Sequence, residues 1–109
     1  MEVPQAKGKL STVMGYEFLG TAMLVYAVNV SCGFPLAVVG ITGTLWICIM
    51  IMGPITGGHC NPAVSIGVLF ASKKPMEEIE YFIKIVISQL LGGFFGLILA
   101  FFSLRNAYS

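Results

Sequence analysis

Apolar residues run along this chain in three stretches that are long enough to cross a lipid bilayer. They cover residues 11–32, 34–53 and 75–104, and a polar N-terminal tail, residues 1–10, precedes them. A bilayer core of about 30 Å needs about 20 apolar residues in helical conformation. The pattern therefore predicts an all-α membrane protein with three transmembrane helices.

A fourth apolar segment, residues 62–71, has only half the length that a membrane span needs. Asn61 suits a helix N-cap, and Pro62 suits the first helical position because its missing N–H has no helical partner there. At 1.5 Å per residue, this helix measures about 15 Å. We expect a re-entrant half-helix that begins near the middle of the bilayer. Residues 54–61 then form a re-entrant loop, which must pack against protein or line a water-filled cavity.

The composition agrees with a membrane location. Of the 109 residues, 57% are hydrophobic and 10% are charged, as expected for a chain that has lipid as its solvent. The formal net charge of +1 gives no indication of a nucleic-acid partner. The three cysteines lack the spacing of a disulfide framework or a zinc site, and we expect Cys32 and Cys48 to be small buried hydrophobic residues. No motif favours an enzyme, a cofactor or a metal site.

The basic residues predict the direction in which the spans cross. Lysine and arginine near the ends of spans stay on the cytoplasmic side. Arg105 lies on the opposite side from the other five basic residues, which are Lys7, Lys9, Lys73, Lys74 and Lys84. We therefore expect the N-terminus and the half-helix on the cytoplasmic side, or on the matrix side in an organelle.

Three stretches of the sequence share a pattern with one known family. Residues 17–21, EFLGT, resemble the first helix of that family, and residues 56–65, TGGHCNPAVS, resemble its first pore loop. Tyr81 and residues 89–92, QLLG, are similar to its third helix. On these motifs the chain is identified as a member of the major intrinsic proteins, the aquaporin and aquaglyceroporin superfamily. The resemblance implies that residues 1–109 form a single half-repeat of a fold with two inverted halves.

The resemblance also implies which residues line a pore. Asn61 would donate a hydrogen bond to permeating water, and the carbonyls of Gly58, His59 and Cys60 would lead to it as a row of acceptors. A thiol reagent at Cys60 is then expected to block flux. The His59 ring is expected to be packed in the loop rather than to act as a ligand or pH sensor. Ile41 stands where water-selective members usually carry an aromatic residue, which favours a wider opening.

Other residues are expected to support this loop. A glutamate inside a span is costly and by default indicates a functional site, such as one for proton transfer. The resemblance implies instead that Glu17 braces the loop by accepting hydrogen bonds from its backbone, and Gln89 is interpreted in the same way. Pro62 and Ala63 complete the Asn-Pro-Ala motif. Three glycines are expected at close helix crossings: Gly20, Gly92 and Gly96.

The sequence ends after the third span, without a second Asn-Pro-Ala motif or a filter arginine. Two copies of this chain would have to insert in opposite directions to complete the pore, and the one-sided basic residues oppose this. Besides the lipid bilayer, we expect as partner either another membrane chain that supplies the missing half or a larger membrane assembly, unless the chain is part of a longer channel. Two functions stay open: a channel half for water or small neutral solutes, and a non-conducting structural subunit, which the length and the initial Met1 favour.

Overall fold

The computed structural model describes residues 9–108, and all the regular elements in this range are helices. Three of them are long and apolar enough to cross a membrane, and the fourth is a shorter apolar helix. They are α1, Leu10–Ser31; α2, Ala37–Thr56; α3, Pro62–Ala71; and α4, Pro75–Tyr108. The predicted all-α fold with three spans and one shorter helix is confirmed. The predicted polar tail lies, up to residue 8, outside the described residues.

The second span begins later than the predicted residue 34. A turn around Pro35 separates the second span from α1. In this turn the Phe34 N–H donates to the Ser31 carbonyl and the Ala37 N–H donates to the Phe34 carbonyl, both at 3.1 Å. The helix proper therefore starts at Ala37. The apolar stretch thus included a connecting turn, which hydrophobicity does not distinguish from a helix.

The same span also ends later than the predicted residue 53. α2 continues through Pro54 to Thr56. Gly57 then takes a left-handed conformation, with φ of +88°, and its N–H donates to the Gly53 carbonyl at 2.9 Å. This is a C-cap that glycine adopts without steric cost. The irregular loop accordingly shortens from residues 54–61 to residues 57–61.

α1 is the central helix and packs against both α2 and α4. Phe18 and Ala22 of α1 lie against Gly92 and Gly96 of α4, respectively, so these two helices run parallel. α2 runs antiparallel to α1. Gly40, near the start of α2, approaches Ser31 at the end of α1, whereas Thr56, the last residue of α2, bonds Glu17 in the first half of α1. Two parallel spans with one antiparallel span between them along the chain are what three successive membrane crossings require.

α3 packs against α4 and runs back along it. Near the start of α3, Ser65 accepts a hydrogen bond from Gln89, which lies about 21 Å along α4 from its first residue. Just after the end of α3, the Ser72 hydroxyl donates to Glu78 at 2.7 Å, near the start of α4. α3 therefore begins partway along the bundle and returns to the end from which α4 starts, as a re-entrant half-helix does.

Candidate functional site

The loop between α2 and α3 has a backbone that few sequences can adopt. Gly57 and Gly58 have φ angles of +88° and +66°, and Cys60 has one of +51°. Glycine takes such angles freely, whereas a residue with a side chain pays about 1–3 kcal/mol and needs surrounding structure to hold it there. The conformation at Cys60 is therefore imposed by contacts outside the loop.

Glu17 provides these contacts. Its side chain is fully buried, and one carboxylate oxygen, Oε1, accepts from the Thr56 hydroxyl at 2.7 Å and from the His59 N–H at 3.1 Å. The other oxygen, Oε2, accepts from the Cys60 N–H at 2.7 Å and from the Gln89 side-chain amide at 2.8 Å. A buried carboxylate needs such donors to offset its lost hydration. Glu17 thereby ties the loop to the end of α2 and to α4.

Thr56 and Ser65 extend this network on either side of the loop. The Thr56 hydroxyl accepts from the Gly58 N–H at 3.0 Å. The Ser65 hydroxyl, also fully buried, accepts from the Gln89 amide at 2.9 Å and bonds the His59 ring nitrogen Nδ1 at 2.8 Å. Both residues lie at the ends of the TGGHCNPAVS motif, but the sequence assigned neither of them a role.

The His59 ring packs within this network. Besides its bond to Ser65, it stacks on Phe82 with ring centroids 6.2 Å apart and planes 13° apart. Its position between α3 and α4 agrees with the expectation of a packed loop residue. It helps to hold the two helices together at the point where α3 begins.

Asn61 caps α3 as its sequence predicts. Its side-chain oxygen accepts from the Ala63 N–H at 2.8 Å, and Pro62 occupies the first helical position. Within residues 9–108, the Asn61 side-chain amide donates no hydrogen bond, and the carbonyls of Gly58, His59 and Cys60 accept none. The loop thus holds three carbonyl acceptors next to one amide donor, none of them paired within the described residues.

Ile41 lies apart from this group. It is a partly exposed residue near the start of α2, about 22 Å along the helix from Thr56. The described residues do not bring Ile41 to the loop. Its role remains a prediction from spacing.

The cysteines differ from their predicted environments. Cys48 is buried as expected, but Cys32 is exposed, because it follows the last residue of α1 in a connecting turn. Cys60 has 1% of its surface exposed and places its sulfur 3.7 Å from that of Met52. The thiol therefore points into the protein, which gives a bulky organic thiol reagent little access and weakens the expected block. Among the described residues, no group of three His, Cys, Asp or Glu side chains is placed to hold a metal ion.

The predicted packing glycines lie at points of close approach. A Cβ at Gly92 would overlap the Phe18 carbonyl, and one at Gly96 would overlap the Ala22 carbonyl. At Gly20 a Cβ would lie 2.5 Å from the Met52 sulfur. α4 thus meets backbone on α1, whereas Gly20 makes room for side chains from α2 and the loop.

Comparison with known proteins places this geometry in context. The sequence profile of the family described as "Major intrinsic protein" matches residues 7–108. The chain is 34% identical over 104 residues to a glycerol uptake facilitator protein of Haemophilus influenzae, and 35% identical over 104 residues to the propanediol uptake facilitator PduF of Salmonella typhimurium. It is also 36% identical over 89 residues to aquaporin Z of Photorhabdus laumondii.

These alignments cover most of this chain but a minor part of each relative. They include 84% of the chain for the first two proteins and 71% for the third, against 38%, 38% and 37% of the respective relatives. The chain thus spans little more than a third of the length of the curated relatives it matches. No solved structure matches it.

Proposed function

Because the chain belongs to the major intrinsic protein family, we propose that it forms one half of a membrane channel for water or small uncharged solutes. The names of its relatives point to glycerol, propanediol and water. All three molecules are uncharged and hydrogen-bond through oxygen. A site for them requires acceptors and donors in the bilayer interior and no catalytic group, in keeping with relatives that are channels rather than enzymes.

The observation that carries the proposal is a row of hydrogen-bonding groups in the loop that have no partner among the described residues. Three successive carbonyls, at Gly58, His59 and Cys60, have no partner among the described residues, and the Asn61 amide follows them. A hydroxyl-bearing molecule that accepts from Asn61 can donate to these carbonyls in turn. The positive end of the α3 dipole lies at the same place and disfavours cations.

The same unpaired groups are an argument for a partner that completes the pore. In hydrocarbon, each unpaired polar backbone group costs several kcal/mol. The carbonyls and Asn61 therefore need either water held in a protein-walled channel or direct contact with protein. A second half-repeat facing the start of α3 would provide that wall. In this arrangement the N-terminus of this chain lies on the cytoplasmic or matrix side.

The first experiment is to isolate the particle that carries this chain from its own membrane and to identify every co-migrating chain by mass. The particle is then reconstituted in vesicles, and their shrinkage is followed in osmotic gradients of sucrose and of glycerol. We expect faster water or glycerol flux than in empty vesicles. A particle with no flux above that of empty vesicles would overturn the channel and favour a non-conducting structural subunit.

Variants at Asn61 test the role of the loop. Asn61→Ala removes both the amide donor and the cap of α3, which costs about 1 kcal/mol of helix stability. Asn61→Asp removes the donor but keeps an oxygen for the Ala63 N–H. We expect both variants to change flux several-fold. Asn29→Ala is the matched control, because Asn29 donates to the Val25 carbonyl within α1, far from the loop. Equal flux in all three variants would show that Asn61 does not face a conducting pore.

A further inference from the structure

Three sulfur atoms meet where α2 and the loop pack against α1. Cys48, Met52 and Cys60 form one buried cluster, with 2%, 4% and 1% of their surfaces exposed, respectively. Cys48 and Met52 are four residues apart in α2 and so share one face of that helix. Cys60 comes back onto this face from the loop, with its sulfur 3.7 Å from that of Met52. The three sulfur atoms have no part in the proposed pore, which uses only the backbone carbonyl of Cys60.

Gly20 of α1 provides the space for the cluster. A Cβ at this position would lie 2.5 Å from the Met52 sulfur and 2.6 Å from the Cys60 sulfur. The Cys48 thiol lies beside the same residue, 3.9 Å from the Gly20 carbonyl oxygen. All three sulfurs therefore converge on one small area of α1 that lacks a side chain.

We propose that the sulfur cluster binds one soft monovalent metal ion, Cu(I) or Ag(I). Thiolate and thioether ligands together select such ions over hard cations. Three sulfurs at about 2.3 Å from a central ion, a usual metal–sulfur distance, lie about 4 Å from one another in a trigonal plane. The observed spacing of 3.7 Å between the Met52 and Cys60 sulfurs is close to this value.

The charge balance favours a monovalent ion. When Cu(I) or Ag(I) binds, the Cys48 thiol loses its proton to solvent and its thiolate bonds the metal. The Met52 thioether and the Cys60 thiol, which keeps its proton, are weaker donors that complete the site. One positive charge leaves and one arrives, so the buried site stays neutral, as a low-dielectric interior requires. The Glu17 carboxylate is adjacent, since it accepts from the Cys60 N–H at 2.7 Å, and it further favours a cation.

Zinc fits the cluster less well. A structural zinc site has four ligands in a tetrahedron. The cluster supplies three sulfurs, and the described residues contain no group of three His, Cys, Asp or Glu side chains placed to hold a metal ion. We therefore expect binding of Cu(I) and Ag(I) without comparable binding of Zn(II).

The test uses the purified, reduced particle that contains the full chain. Ag(I) as its nitrate, or Cu(I) buffered by a competing chelator, is added, and the metal per chain is measured by elemental mass spectrometry after desalting. X-ray absorption then identifies the ligand atoms. We expect one additional ion per chain relative to the Cys48→Ala particle, with sulfur ligands only. Because both particles contain the same other chains, their difference isolates this site.

Three variants rank the ligands. Changes in groups that only support metal ligands typically cost 10–100-fold in affinity, so we expect Cys48→Ala, which removes a ligand, to cost more than about 100-fold. Met52→Leu keeps the side-chain volume and is expected to weaken binding by about 10-fold, since a thioether is the weaker ligand. Cys32→Ala is the matched control, because Cys32 is exposed and distant from the cluster, and it should leave affinity unchanged.

Several results would overturn the proposal. Metal binding that disappears with Cys32→Ala but survives Cys48→Ala would place the ion elsewhere. Nitrogen or oxygen ligands in the absorption spectrum, or Zn(II) bound as tightly as Cu(I), would contradict a soft sulfur site. Absence of binding with both Cys48 and Cys60 fully reduced would show that these thiols do not hold a metal ion.

Discussion

α1 packs against α4 through backbone and against α2 through side chains. At Gly92 and Gly96 the surface of α4 has no side chain, and the Phe18 and Ala22 carbonyls of α1 lie directly against it. On its opposite side α1 itself lacks a side chain, at Gly20. Flexible side chains from α2 and the loop, such as Met52, fill the space there. One helix thus makes two kinds of contact.

The difference concerns how much each contact can adjust. A backbone atom cannot move without shifting its whole helix, whereas the end of a methionine side chain changes rotamer at little cost. The contact between α1 and α4 should therefore be intolerant of added volume. The contact between α1 and α2 should absorb part of it. The unfolding free energy of the isolated particle, measured by denaturant titration in detergent, can distinguish the two.

The largest effect is expected at Glu17, which joins both contacts through Thr56 of α2 and Gln89 of α4. Glu17→Ala leaves the His59 and Cys60 N–H groups without an acceptor, and each buried unsatisfied group costs about 1–3 kcal/mol. Thr56 and Gln89 also lose a bond but keep the Met52 carbonyl and the Ser65 hydroxyl as acceptors. We expect a loss of at least about 3 kcal/mol, with faster hydrogen exchange at the His59 and Cys60 amides. Glu80→Ala is the control, because Glu80 only pairs with Lys84 on the surface. Unchanged exchange in the loop would show that Glu17 does not hold it.

A smaller effect is expected at Gly92. Gly92→Ala places a methyl group on the Phe18 carbonyl and forces α1 and α4 apart, at a cost of about 1–3 kcal/mol. The adjacent Gly93→Ala is a close control, since its new methyl group would meet the Val25 side chain at an ordinary 3.5 Å. Equal stability of Gly92→Ala and Gly93→Ala would show that the contact between α1 and α4 tolerates added volume, as the contact between α1 and α2 is expected to do.

The third prediction tests the adjustable contact. Gly20→Ala brings a methyl group within 2.5 Å of the flexible Met52 sulfur, and we expect a cost of about 1 kcal/mol, below that of Gly92→Ala. Adding Met52→Ala should recover part of the loss, with a coupling energy of about 0.5–1 kcal/mol in a double-mutant cycle. A cost equal to that of Gly92→Ala, with no coupling to Met52, would mean that both contacts are equally rigid.

The smallest effect is expected at the far end of α1 and α4. The Tyr26 and Ser103 hydroxyls lie 3.0 Å apart on an exposed part of the parallel pair. Hydrogen bonds between membrane helices contribute about 0.6 kcal/mol on average, so Tyr26→Phe should cost no more than about that amount. A double-mutant cycle with Ser103→Ala isolates the bond. A cost near that of Gly92→Ala would show that polar contacts, rather than close glycine packing, hold the pair.

Local signals predicted some elements well. The half-helix was predicted at residues 62–71, and α3 has the same bounds. The start of this helix depends on interactions between adjacent residues, namely the Asn61 cap and Pro62 at the first position, which the sequence shows directly. The end of α2 was wrong because hydrophobicity alone does not show that Gly57 would cap the helix beyond Pro54. Burial of Cys32 was wrong for a related reason, since a connecting turn borders the span.

Contacts between distant residues were less accessible from sequence. The role of Glu17 as a brace was implied by the family resemblance, and its four donors agree with such a role. Its partner Thr56 is 39 residues away, and the bond from Gln89 to Ser65 spans 24 residues. Periodicity and spacing contain no information on such pairs. The sulfur cluster was missed for the same reason, because Cys60 reaches Met52 only through the folded loop.

The hydrogen bond between Glu17 and Gln89 also has a consequence for biosynthesis. The two residues are 72 positions apart, which at ribosomal rates of 5–20 residues per second amounts to roughly 4–14 seconds of synthesis. During this interval the glutamate is already made, but its partner on α4 is not. Thr56 and the loop amides emerge earlier and are the first donors available to it. Of the four donors to Glu17, Thr56 and the two loop N–H groups are therefore the ones that can pair with its carboxylate while α4 is still being translated.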